Sequence, residues 1–212
     1  MAEKSTAAAV RKALEGAKKR NFVETVELAV NLKDVDLSIP KNRISDDVIL
    51  PSGRGRQVHI CVIGSGELIL KAKDIADTVI TVDELNSIAD DRKQAKRFAN
   101  KTDYFIAEAP LMAIIGKKLG TVLGPRGKMP KPIPSGADPT GIIENLRKTV
   151  SVRTRDKKTF HVPVGTISMS PEKIADNIDT VLKRIETKLE KGKMNIASLY
   201  IKTTMGPSER LI

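Results

Sequence analysis

The hydrophobic pattern of this chain changes twice, and that change limits what it can fold into. Around residues 24–32 the side chains alternate. Val26, Leu28, Val30 and Leu32 share one face; Thr25, Glu27, Ala29 and Asn31 share the other. A period of two marks a strand with one dry and one wet face, as in an antiparallel sheet. Val58-His59-Ile60-Cys61-Val62-Ile63 is nearly continuous apolar, as expected of a strand covered on both faces in a parallel sheet. Near the C-terminus, Ser198-Leu199-Tyr200-Ile201-Lys202 alternates again. The two ends therefore share one style and the middle has another. The economical reading is an α/β (α+β) chain of two domains. One is discontinuous, 1–53 plus 149–212, with an antiparallel sheet; the other, 54–148, is a parallel α/β domain inserted into it. The crossings at Gly53 and Thr149 form a double hinge.

Local signals fill in the elements. Residues 5–18 read as a helix capped by Ser5 or Thr6. Residues 40–47 read as loop and 48–50 as a short strand, followed by the basic turn Pro51-Ser52-Gly53-Arg54-Gly55-Arg56. In the middle, helical stretches at 67–76, 83–100, 111–119 and 140–148 alternate with strands at 58–63, 78–80 and 104–107. A long Gly/Pro/Lys loop covers 120–139. Beyond it, 150–153 and 159–164 flank Arg155-Asp156-Lys157-Lys158 and read as a hairpin. Ser170-Pro171-Glu172 starts a helix that runs to about 191 and ends at Gly192. Ile174, Ile178, Val181, Leu182, Ile185 and Leu189 form its apolar stripe.

Charge narrows the partner class. The 212 residues carry a formal net charge of +11, which points to a polyanion such as nucleic acid. Aromatic residues make up 3% and there is no Trp, which argues against a multi-ring base-stacking platform. One cysteine and two distant histidines, His59 and His161, leave no zinc ligand set and no disulfide framework. There is no apolar run of about 18 residues and no secretion-signal pattern, so a cytoplasmic protein with no membrane contact is expected.

Two glycine motifs hint at nucleotides, and both fall short. Gly64-Ser65-Gly66 follows a buried strand, but position 69 is Ile where a third glycine belongs. Gly127-Lys128 has Val122 where a phosphate loop needs Gly, and Met129 where it needs a hydroxyl. The segment around Arg126, Lys128 and Lys131 reads either as a proline-stiffened loop or as a basic contact surface. No catalytic constellation is evident, and no cofactor or metal is expected. A nucleotide-dependent enzyme built on the middle domain remains the alternative from another class, and a non-specific basic nucleic-acid binder is a second. Thr203-Thr204-Met205-Gly206-Pro207-Ser208 reads as a Gly-Pro turn after the last strand, rich in hydroxyls. If the first and last strands are neighbours, Thr25, Glu27, His161, Tyr200, Lys202 and Thr204 form one polar patch. On pattern alone that is a solvated face.

Three blocks carry a resemblance: the strand Phe22 to Glu27, Leu123-Gly124-Pro125-Arg126-Gly127-Lys128-Met129-Pro130, and Thr203 to Ser208. Together they resemble the L-one family of large-subunit ribosomal proteins, in its archaeal form, over essentially the whole chain. The resemblance implies a split α/β sandwich with a Rossmann-like parallel domain inserted. It implies no enzyme, but a monomer when free that binds structured 23S-type ribosomal RNA of the mobile stalk near the tRNA exit site. Help in releasing deacylated tRNA, and repression of the protein's own mRNA, are implied with it. The implied RNA-binding residues are Phe22, Thr25, Glu27, His161, Ser168, Thr203, Thr204, Met205, Gly206 and Ser208. Arg126, Lys128 and Lys131 are implied as a secondary contact. The family's basic position before Phe22 is Asn21 here.

Overall fold

The structure, a computed structural model, describes residues 2–154 and 157–211. In chain order the main elements are α1 (Ala2–Glu15), β1 (Thr25–Leu32), β2 (Ser45–Ile49), β3 (Ile60–Ile63), α2 (Gly66–Ala72), β4 (Thr78–Ile80), α3 (Val82–Asp90), α4 (Arg92–Lys101), β5 (Tyr104–Glu108), α5 (Met112–Leu123), β6 (Lys131–Ile133), α6 (Thr140–Lys148), β7 (Thr149–Arg153), β8 (Thr159–Thr166), α7 (Pro171–Lys188), β9 (Ile196–Thr203) and β10 (Ser208–Arg210). The chain divides into two compact units, Met1–Arg56 with Lys148–Ile212, and Gln57–Arg147.

The first unit holds a four-stranded antiparallel sheet in the order β10-β9-β1-β8. The alternation in β1 works as its pattern requires. Val26, Leu28 and Val30 are buried, and they join Leu199, Ile201, Val162 and Val164 from the neighbouring strands. Val10 and Ala13 of α1 and Ile174, Ile178, Val181 and Ile185 of α7 close the same core. Each large aliphatic side chain so buried contributes about 1.5–3 kcal/mol relative to exposure.

Several local expectations are corrected here. The segments 150–153 and 159–164 do not form a hairpin with each other; Arg155 and Asp156 of that turn lie outside the described residues. β7 pairs with β2 instead, while β8 pairs with β1. The loop expected at 40–47 becomes strand from Ser45, because Val150 and Val152 find partners there and Asp46 is held by Arg184 at 2.6 Å. That guanidinium is the main cause holding the Asp46 carboxyl below its ordinary range. α1 begins ahead of Ser5 and Thr6, so neither caps it. Ser170 stands at the N-cap of α7 without a side-chain bond, and Glu172 pairs instead with Arg11 of α1 at 2.5 Å. α7 ends at Lys188, and Gly192, at φ +52°, opens a short 3₁₀ turn.

The second unit is a parallel sheet in the order β4-β3-β5-β6. Its buried strands feed two cores. Cys61, Ile63 and Phe105 pack on one face; Ile60, Val62 and Ile106 pack on the other. Burial pushes the Cys61 thiol up to about 12, so it is a core residue without thiolate character. The single helix expected at 83–100 is two. Asp91 is extended (φ −100°, ψ 105°) and its carboxylate accepts from Lys93 N at 2.7 Å. Asp favours such a cap over a helix interior. The expected 120–139 loop contains the end of α5 and the strand β6. Pro132 is tolerated there because β6 is an edge strand.

The chain leaves the first unit after Arg56 and re-enters it at Lys148. Asn177 is the reason on the outgoing side. It is fully buried in α7, and its amide donates to Gly53 O at 2.9 Å and Val164 O at 2.8 Å while accepting from Ser52 N at 3.1 Å. Thr166 Oγ1 adds a bond to Gly55 O. Gly55, at φ +68°, has no room for a side chain: a Cβ would lie 2.5 Å from Met169 Sδ. On the return side, Thr149 is buried and already paired with Ile49. Asn177→Ala is therefore expected to cost about 1–3 kcal/mol, since it strands buried backbone groups. Urea unfolding would measure the loss. Amide exchange should accelerate at Ser52 ahead of the core, and unchanged exchange there would refute the anchoring role.

Candidate nucleic-acid interface

The sequence-predicted residues meet at one end of the four-stranded sheet, where β1 begins and β8 and β9 end. Ladder pairing sets this: Thr25 lies opposite Thr166, and Val26 lies opposite Thr203. The Thr204–Pro207 turn is not a loose terminus. It links β9 to β10, a strand not expected from the sequence, and so closes a hairpin.

Hydrogen bonds fix this turn to β1. Thr204 N donates to Thr25 O at 3.0 Å. The Thr204 hydroxyl accepts from Thr25 N and reaches Thr25 O, both at 3.2 Å. Met205 N donates to the Glu24 carboxylate at 3.2 Å, and Arg20 Nε donates to its other oxygen at 2.9 Å. The backbone carbonyl of Glu24 accepts from Ile167 N at 3.1 Å. Glu24 thus ties three distant segments together, and it is 1% exposed.

Its ionisation is set by that environment. The Thr203 hydroxyl is the largest influence holding the Glu24 carboxyl below its ordinary value, with the Met205 N–H and Arg20 assisting against the opposing effect of burial. In this arrangement the buried Thr203 hydroxyl makes no well-formed hydrogen bond. Thr203 therefore corrects its expected role: at 0% exposure it supports the site from beneath and offers no surface to a ligand. Gly206 is required by space, because a Cβ there would lie 2.3 Å from Thr203 Oγ1. Gly16 is packed closely on the same turn, where a Cβ would meet Pro207 Cγ at 3.0 Å.

Around this framework, apolar side chains face solvent. Phe22 is 52% exposed, Val23 61% and Met205 60%, and Ile167 is also exposed. Exposed apolar side chains beside polar groups are the composition of many interaction surfaces. Ser168 is exposed beside it, with its hydroxyl 2.8 Å from that of Thr166. Glu27 and His161 lie further along the open face of the sheet, 3.9 Å apart. Ser208 is exposed on the edge strand β10, opposite Lys202. The structure thus gathers Phe22, Thr25, Ser168, Thr204, Met205 and Gly206, with Glu27, His161 and Ser208 extending the same surface. Glu24 was missed as a site residue; its signal was one acid four positions after Arg20, the last residue of the basic run Lys18-Lys19-Arg20.

The three secondary candidates of the other unit are occupied within the chain. Lys128 Nζ donates to Ala99 O at 2.9 Å and Thr102 O at 2.6 Å, closing the C-terminal end of α4. Arg126 bonds Asn100 Oδ1 at 3.1 Å and Val122 O at 2.9 Å. The Lys131 ammonium sits 6.0 Å over the Tyr104 ring. The Gly64-Ser65-Gly66 turn is filled too. The Glu108 carboxylate accepts from Ser65 N at 3.1 Å and from the Ser65 hydroxyl at 3.0 Å, where a nucleotide phosphate would have to sit. A fixed carboxylate in that place repels phosphate.

The first unit presents an exposed edge fixed by hydrogen bonds on an antiparallel sheet, and the glycine turn of the parallel unit is closed by its own carboxylate; both are the features of a scaffold. The Ribosomal protein L1p/L10e family profile matches residues 12–207. The chain is 50% identical over 213 residues to the large ribosomal subunit protein uL1 of Methanocella arvoryzae, covering 100% of each chain. It is 56% identical over 198 residues to that of Thermoplasma acidophilum, covering 93% of this chain and 91% of the relative. The protein of the same name from Picrophilus torridus is 54% identical over 192 residues, covering 91% and 90%. The chain belongs to the ribosomal protein L1p/L10e family, a family of ribosomal proteins and not of enzymes.

Glu24 supplies a pH test. Its carboxyl is lowered from 4.5, so its contribution to stability is present above that value and is lost as pH falls through the folded-state value. Glu24→Gln should lower the melting temperature at neutral pH and flatten the acid limb of the stability curve. Melts that match the wild type across the whole range would remove Glu24 from its central place.

Proposed function

We propose that the chain acts in the large ribosomal subunit of the cytoplasmic ribosome, where the edge around Met205 grips structured 23S-type RNA of the mobile stalk near the tRNA exit site. The carrying observation is that edge itself: exposed Met205 and Phe22 held on hydroxyl-bearing backbone by a buried, ionised Glu24. A preformed surface pays little ordering entropy on binding. Its hydroxyls and amides suit ribose 2′-hydroxyls and base edges, which distinguish RNA from DNA. The net charge of +11 adds salt-sensitive attraction to phosphate. The names of the archaeal relatives support the subunit assignment.

In this reading the paired crossings at 56–57 and 147–148 serve as the double hinge between an RNA-anchored domain and a mobile one. Movement of the second domain assists release of deacylated tRNA. The same edge binds a mimic of the stalk site on the protein's own mRNA and represses its translation.

A transcript of the stalk segment of large-subunit ribosomal RNA is the direct probe. Met205→Asp puts a carboxylate on the contact and is expected to weaken binding about tenfold or more, equivalent to about 1.4 kcal/mol. Lys183→Ala on α7 should change it by about twofold or less. Filter binding or fluorescence anisotropy at near-physiological salt would compare them. Equal small losses in both variants would refute the specific edge and leave a non-specific basic binder.

A further inference from the structure

The open face of the four-stranded sheet continues away from the Met205 edge, and its ladder register places an ordered row of side chains there. Arg210 lies opposite Tyr200, Tyr200 opposite Ala29, and Ala29 opposite His161. The adjacent row runs Ser208, Lys202, Glu27 and Pro163. Adjacent strands are about 4.8 Å apart, so the backbone positions of Tyr200 and His161 stand about 10 Å apart across one small residue. Ala29, at 8% exposed, forms a floor between them. Among the described residues, the side chains of Tyr200, Lys202, Ser208 and Arg210 form no hydrogen bond or ion pair, and Glu27 has only the 3.9 Å approach to His161. Further along, Asn31 is already bonded to Ser198 at 2.8 Å and to Thr159 at 2.7 Å, which closes the row on that side.

We propose that this row is a shelf for one unpaired guanine of the bound RNA. The base lies over Ala29 against the Tyr200 and His161 rings, with its Watson–Crick edge toward Glu27 and Lys202. The chemistry selects guanine. A carboxylate accepts two hydrogen bonds, and guanine alone presents two adjacent donors, N1–H and N2–H, beside the O6 acceptor that an ammonium can reach. The other three bases offer a single donor group on that edge. Arg210, one strand beyond Tyr200, is placed for a flanking phosphate. The chain has two tyrosines, and Tyr104 lies beneath Lys131, so Tyr200 supplies the ring for this sheet. The shelf rests on the proposed RNA reading and assigns it a base-specific contact.

The test uses the full chain and the stalk transcript, with each unpaired guanine replaced in turn by inosine, which lacks the N2 amino group. Tyr200→Ala should weaken binding about 5- to 100-fold, the range for loss of one stacked base. Tyr200→Phe should bind like the wild type. One inosine position should weaken wild-type binding and have no further effect on Glu27→Gln. Wild-type affinity in a folded Tyr200→Ala, alongside a weakened Met205→Asp, would overturn the shelf while leaving the RNA edge intact. Loss in Tyr200→Ala with no sensitive inosine position would overturn the guanine assignment. If neither Tyr200→Ala nor Met205→Asp weakens binding, the underlying RNA reading fails, and the shelf with it.

Discussion

A single buried carboxylate holds the edge together. Taking an ionised carboxyl out of water is expensive unless its oxygens are paired. Glu24 meets that requirement through Arg20 and the Met205 N–H, with Thr203 close beneath. Its own backbone carbonyl then fixes the loop after β8. Segments more than 180 positions apart in the chain are joined at one residue, as the Met205 N to Glu24 bond shows, with a separation of 181. The hydroxyls and the methionine above it are set in place before any ligand arrives.

The topology makes that convergence possible. β1 is a central strand, flanked by β9 and β8, so a strand near the N-terminus lies between strands from the far end of the chain. The inserted unit leaves the first one through a segment anchored by Asn177. The inserted unit has the parallel sheet of a ligand-binding domain, yet Glu108 occupies its glycine turn and Lys128 and Arg126 cap its helices. Its basic, glycine-rich motifs serve its own fold.

Much of this was legible in the residues. The period-two runs of β1 and β9 and the unbroken apolar run of β3 set the two styles of sheet, and each reads correctly because the signal is local. Pairing partners are not local. β7 and β8 are close in sequence and look like a hairpin, but buried Val48 draws β7 to β2. β10 is three residues long and its partner is set by the turn before it. Among the site residues, Thr204, Met205 and Gly206 stood out through the Gly-Pro turn. Glu24 did not, since a carboxylate beside a basic run looks like an ordinary surface charge until the fold buries it. Lys128 misled in the opposite direction: its position beside Gly127 suggests phosphate, and the fold turns its ammonium inward to two carbonyls.

Amide hydrogen exchange of the full chain, with and without the stalk transcript, tests the central claim most directly. New protection should concentrate at residues 22–27 and 203–208, where the Glu24-centred edge lies, with little change at 124–131. Protection centred on 124–131, with the edge exchanging as in the free protein, would contradict it and move recognition to the inserted unit.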